Sequence, residues 1–124
     1  MNISLKGKRA LIGGSSRGLG FAVAKQLAHS GASVTLMSRN ENKLKEIVAN
    51  LESETKNKHN YLVVDFNNFS SFETTILSFL KNNPIDILVN NTQGPKSGFI
   101  ENLSIDDYQD AFDLLFKSVV FTTI

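Results

Sequence analysis

The chain predicts an α/β fold, a doubly wound parallel sheet with helices on both faces, and three observations carry that prediction. Short runs that are apolar on both faces recur along the chain, as strands of a buried parallel sheet require. Each is followed by a stretch with helical spacing of its apolar residues and then a short connection. At the first junction stands "GGSSRGLG", residues 13–20, with Gly14, Gly18 and Gly20 set where a strand would give way to a helix. Right-handed crossovers then leave a partial sheet of about four strands in the order 3-2-1-4.

The elements follow in order. "RALIGG" reads as a first strand entering the glycine loop. A helix over residues 18–30 should turn Leu19, Val23 and Leu27 inward, with Gly31 stopping it. The β-branched run over residues 32–38 is a second strand. Asn40 can cap the next helix, where Leu44, Ile47, Val48 and Leu51 make one buried stripe. "ESETKNKHN" is a polar connection and "YLVVDF" a third strand. Ser70 and Glu73 are spaced as a capping box for a helix with Phe72, Ile76, Leu77 and Leu80 inward. Pro84 separates it from a fourth strand over residues 85–90, and Ser104 and Asp107 open a last helix.

Composition narrows the function classes. The 124 residues make one domain at most, and 41% hydrophobic with 20% charged residues is an ordinary globular balance. A net charge of +1 gives no reason to expect nucleic acid or an anionic membrane surface. Zero cysteines exclude disulfides and thiolate metal sites, and no run approaches a membrane span. The N-terminal residues show no apolar leader, so the expectation is a cytoplasmic protein. His29 and His59 read as surface residues without metal partners. The Lys6, Lys8, Arg9 group reads as a solvated approach to the first strand.

The glycine loop points to a phosphate-bearing ligand. First-turn N–H groups of a helix have no backbone partners, and the helix dipole favours an anion there. Gly14 can take a turn conformation closed to other residues, Gly18 leaves room for a phosphate, and Gly20 lets the helix approach the sheet. Ser15 and Ser16 can add hydroxyl donors. A mononucleotide P-loop fails, because Leu19 stands where a lysine should follow Gly18. A dinucleotide remains, and its ribose is read at the end of the second strand. There the sequence has Ser38 and Arg39, with no acid before Glu41. Arg17 and Arg39 together offer two guanidinium groups for a 2′-phosphate, so NADP(H) is expected over NAD(H).

With these landmarks the chain resembles the N-terminal, Rossmann-type half of the short-chain dehydrogenase/reductase family, near its 3-oxoacyl-carrier-protein reductase-like members. The family's Thr-Gly-x-x-x-Gly-x-Gly fingerprint matches Gly14, Gly18 and Gly20, with Gly13 in place of the threonine. The resemblance implies an adenine contact at Asp65, with Phe66 beside it, although Asp65 as a plain strand-end cap stays open. The family's Asn-Asn-Ala-Gly motif falls on Asn90, Asn91, Thr92 and Gln93, with Gly94 one place late. Asn91 then serves both to fix the strand-end turn and to lie near the cofactor, with Thr92 next to it. Residues 1–124 would be the NADP-binding domain of a carbonyl-reducing, alcohol-oxidising enzyme acting on a small-molecule carbonyl.

Departures from the family matter as much. The family's catalytic asparagine falls on Leu115, which cannot hold a water for proton relay. The family's serine and its tyrosine four residues before a lysine would lie beyond Ile124. Tyr61 and Tyr108 do not substitute, since Asp65 and Phe112 follow them at that spacing. The expectation is a cofactor-binding portion without proton chemistry. A nucleotide-binding or regulatory module that was never catalytic stands as the alternative. The last helix carries Tyr108, Ala111, Phe112, Leu115, Val119 and Val120, more than one covered face needs. The family's use of this helix implies a homo-oligomer.

Overall fold

The computed structural model describes residues 4–14, 18–65, 68–91 and 104–106. Its elements are β1 (Arg9–Ile12), α1 (Gly18–His29), β2 (Ser33–Ser38), α2 (Glu41–Thr55), β3 (Asn60–Val63), α3 (Phe69–Leu80) and β4 (Ile87–Val89). The four strands form one parallel sheet in the expected order β3-β2-β1-β4. Apart from residues 104–106, the expected last helix, with Tyr108 and Leu115, lies outside the described residues.

Alternation along the strands divides the core in two. Ala10, Ile12, Val34 and Leu36 face one way, against Ala24 and Ala28 of α1 and Leu44, Ile47, Val48 and Leu51 of α2. Leu11, Met37 and Val64 face the other way, against Phe72, Ile76 and Phe79 of α3. Helices therefore cover both faces. Phe72 is fully buried, and its burial stabilises the fold by roughly 2–3 kcal/mol.

The helix faces correct the sequence reading in two places. In α1 the fully buried residues are Gly20, Ala24 and Ala28; of the expected stripe, Leu27 is half-buried and packs on the core, and Val23 is half-buried. Leu19 is 74% exposed. Small residues at every fourth position let the α1 backbone settle close onto the sheet, which a leucine stripe would hold away. In α3, Phe72 and Ile76 are inward as expected, but Phe79 replaces Leu77 and Leu80, which are exposed. The aromatic stripe has more area to bury and wins. Phe69 continues it, with its ring centroid 6.4 Å from that of Phe72.

Local chemistry sets two of the helix ends where the sequence places them. Asn40 caps α2, its Oδ1 accepting from the Lys43 N–H at 3.1 Å. After α1, the Gly31 N–H donates to Ala28 O and the Ala32 N–H to Leu27 O, the paired bonds of a left-handed helix stop. Two ends differ. Helix α3 is capped by Asn68, whose Oδ1 accepts from the Ser71 N–H, so Ser70 already lies inside the helix and forms no capping box. Helix α2 runs on through Glu52–Thr55, residues expected in the connection, and stops at Lys56, whose φ is 58°. The helix is held there by Thr55 Oγ1 donating to Leu51 O at 2.7 Å.

Candidate dinucleotide-binding site

In a parallel sheet all strands point their carboxyl ends to one edge, and ligands of such folds bind outside it. That edge gathers Gly13 and Gly14 after β1, Ser38 and Arg39 at the end of β2, Asp65 after β3, and Asn90 and Asn91 after β4. Strand pairing continues past the strand ends. The Gly13 N–H donates to Val89 O at 3.1 Å, and the Val64 N–H donates to Ser38 O at 2.9 Å. The site residues are thus anchored to one another through the backbone.

At the glycine loop, Gly14 has φ 55° and Gly18 has φ 63°, both in the left-handed region that a side chain disfavours. A Cβ on Gly18 would meet nothing within 4 Å, so the space in front of it is open. Gly20 is the opposite case. A Cβ there would run into the Gly14 carbonyl oxygen and come within 2.6 Å of Asn91 Nδ2. The start of α1 therefore sits directly on the loop. Its first turn carries no acidic residue, which leaves the positive end of the helix dipole unneutralised.

Asn91 closes this arrangement. Its Nδ2 donates to Gly13 O at 3.3 Å and to Gly14 O at 3.4 Å. The N–H and C=O of a peptide unit point in opposite directions, so holding the Gly13 carbonyl toward Asn91 turns the Gly14 N–H away from it. A Cβ on Gly13 would fall on the Asn91 carbonyl oxygen, so the backbone as arranged here leaves no room for a side chain at that position.

Next to the loop, Ser38 is half-buried and Arg39 is exposed at the end of β2. Asp65 is half-buried just past the end of the neighbouring strand β3, where its carbonyl accepts from the Asn68 N–H at 3.0 Å. Leu19 is exposed at the start of α1. Ser15, Ser16, Arg17, Phe66 and Thr92 lie outside the described residues. The structure thus gathers Gly14, Gly18, Leu19, Gly20, Ser38, Arg39, Asp65 and Asn91 along one edge of the sheet.

Residues 8–124 match the family model of the short chain dehydrogenases. The chain belongs to that family. It is 29% identical over 123 residues to the 3-oxoacyl-[acyl-carrier-protein] reductase FabG of Chlamydia pneumoniae, spanning 98% of this chain and 49% of that protein. The gluconate 5-dehydrogenase of Gluconobacter oxydans is 34% identical over 119 residues, 95% of this chain and 46% of that protein. Among solved structures, the L-sorbose reductase of Gluconobacter frateurii, complexed with NADPH and L-sorbose, superposes with a TM-score of 0.88. It is 28% identical, and the match covers 98% of this chain and 46% of that one. The chain spans about half the length of the curated relatives it matches.

For a short-chain dehydrogenase the position of Tyr61 is informative. It lies in the middle of the β2–β3 pairing, opposite Leu36, and packs on the α1/α2 face of the sheet. It is therefore away from the edge where the glycine loop opens. His59, read from sequence as a surface residue, is instead half-buried. Its Nδ1 accepts from the Val34 N–H at 3.1 Å, and its Nε2 is 2.8 Å from Thr55 Oγ1. Since the Thr55 hydroxyl donates to Leu51 O, Nε2 carries the hydrogen and the ring is neutral. Burial lowers the His59 pKa from its ordinary value, with Glu52 acting in the opposite direction. Its position just before a strand start is a signal for such a cap, because β2 begins before its partner strand does.

Proposed function

We propose that these residues form the NADP(H)-binding portion of a short-chain oxidoreductase that interconverts carbonyls and alcohols. The observation that carries the reading is the junction of Gly14, Gly18 and Gly20 with Asn91, with a cation rather than an acid at the end of β2. The pyrophosphate would lie at the start of α1, against the loop N–H groups of residues 14–20. Arg39, with Arg17, would take the ribose 2′-phosphate, and Asp65 would meet the adenine. When bound, the nicotinamide supplies the hydride. Support for the phosphorylated cofactor comes from the sorbose reductase crystallised with NADPH and from the absence of an acid between Ser38 and Asn40.

Within residues 1–124 no tyrosine precedes a lysine by four. We therefore expect the 124-residue chain to bind the dinucleotide without reducing carbonyls, for want of an acid within reach of a nascent alkoxide. Leu115, in place of the family asparagine, also keeps a second reading in play, a nucleotide-binding module without catalysis. The test is NADPH consumption with a panel of ketones, first with the 124-residue chain and then with any longer product of the same gene. The reading expects no turnover from the first and turnover from the second. Turnover by the 124-residue chain above a heat-killed control contradicts it, and binding without turnover by a longer product favours the module.

A further inference from the structure

We propose that a cleft at the amino ends of β1, β2 and β3, on the opposite edge from the glycine loop, binds a short dicarboxylate. The cleft has a volume of about 290 Å³ and is lined by Arg9, Thr35, Lys58, His59, Phe79 and Ile85, among others. That is near the lower end of the range for small-molecule sites. No carboxylate lines it among the described residues.

The sheet order sets the spacing of its charges. Strand β2 lies between β1 and β3, so Arg9 at the start of β1 and Lys58 just before β3 flank it. Two strand spacings put their backbones about 10 Å apart. Two cationic side chains rooted on the strands flanking a shared floor suit a ligand with an anion at each end. The floor is Thr35. It is the buried polar residue of the described core, 7% exposed, on the sheet face it shares with the apolar Leu11 and Met37. Its hydroxyl bonds to no described residue and is not sealed from solvent. A hydroxyl held in an apolar face gains from an acceptor, and a carboxylate oxygen supplies one.

The remaining walls define the rest of the ligand. Phe79 and Ile85 offer apolar surface to a short methylene chain, which a bare phosphate would leave unused. His59 does not add charge, because both ring nitrogens are engaged in the neutral form. The neighbouring carboxylates are also engaged. Asp86 accepts from the Arg9 N–H at 2.9 Å and Glu52 from the His59 N–H at 3.2 Å, and neither lines the cleft. The side chains of Arg9 and Lys58 are the cations this cleft presents.

The experiment is a titration of the isotope-labelled full-length protein with glutarate, followed by amide shifts, with NADPH present throughout. We expect saturable shifts at Val34, Thr35, His59 and Asn60 with a Kd of about 1 mM or tighter, and none from glutaramide, the neutral diamide. Arg9→Gln and Lys58→Gln should each weaken glutarate by about tenfold or more. Both side chains are exposed, so an unchanged spectrum elsewhere shows that the fold is retained. No saturable shift, an equal response to glutaramide, or parent-like affinity in both variants overturns the proposal.

Discussion

The side-chain amide of Asn91 donates to the carbonyl oxygens of Gly13 and Gly14 at 3.3 and 3.4 Å, across 78 and 77 residues of sequence. This contact joins the end of β4 to the loop after β1. It couples the sheet to the proposed phosphate site, because the orientation of the loop N–H groups follows from where its carbonyls are held. Asn91→Ala should cost about 1–2 kcal/mol of stability. The same variant should weaken dinucleotide binding by more than the stability loss accounts for. Denaturant titration and cofactor titration of one preparation check both parts, and unchanged affinity would detach Asn91 from the site.

Gly20→Ala opposes two effects. Alanine favours a helix over glycine by about 1 kcal/mol, yet its Cβ would strike the Gly14 carbonyl oxygen. Overpacking of this kind costs about 1–3 kcal/mol, so a net loss of stability is expected, together with weaker dinucleotide binding. Gly7→Ala is the control. Gly7 has φ 83° with open space around it and lies before β1. It should lose about 1 kcal/mol or more with no change in affinity. A Gly20→Ala variant more stable than the parent would show that α1 does not sit on the loop.

His59 makes stability depend on pH. Its folded-state pKa is lowered by burial from 6.5, so the unfolded chain takes up the proton first as pH falls. Stability is therefore full above 6.5 and declines as pH drops below it toward the folded value. Protonating Nδ1 also removes the acceptor of the Val34 N–H. Thermal melts across this range should show the decline in the parent and a flatter profile in His59→Gln. Equal profiles would remove His59 as the cause.

Self-association is expected through residues of the last helix. In the described sheet β4 is an edge strand, paired on one side with β1. The stretch expected from sequence to form a last helix offers Phe112, Leu115, Val119 and Val120 beyond what one covered face needs. Sedimentation should give a dimer or larger species, and charged substitutions at Phe112 and Val119 should disrupt it. A stable monomer at micromolar concentration contradicts the expectation.

Strand order, the stripe of α2 and the stop at Gly31 were legible in sequence because each rests on local chemistry or on period. The faces of α1 and α3 were less so. In α1, large apolar side chains look like core, whereas the helix approaches closely enough that Gly20, Ala24 and Ala28 take the inner face. In α3, Leu77 lies beside a stripe of phenylalanines that claims the core first, leaving the leucine 54% exposed. The cap at Asn68 was hidden by Ser70 and Glu73, which fit a capping box two residues later. For the site, the glycines and Arg39 were readable as residue types. The contact of Asn91 with two carbonyls depends on sheet register, which no local pattern encodes.

On the reading proposed above, the carboxyl edge of this sheet holds a 2′-phosphorylated dinucleotide through Arg39. This is tested most directly by titrating NADPH and NADH separately into the unmutated protein and into Arg39→Asp. NADPH should bind the unmutated protein at least tenfold more tightly than NADH, about 1.4 kcal/mol, and the order should reverse in the variant. Equal affinities for the two cofactors in the unmutated protein would contradict it.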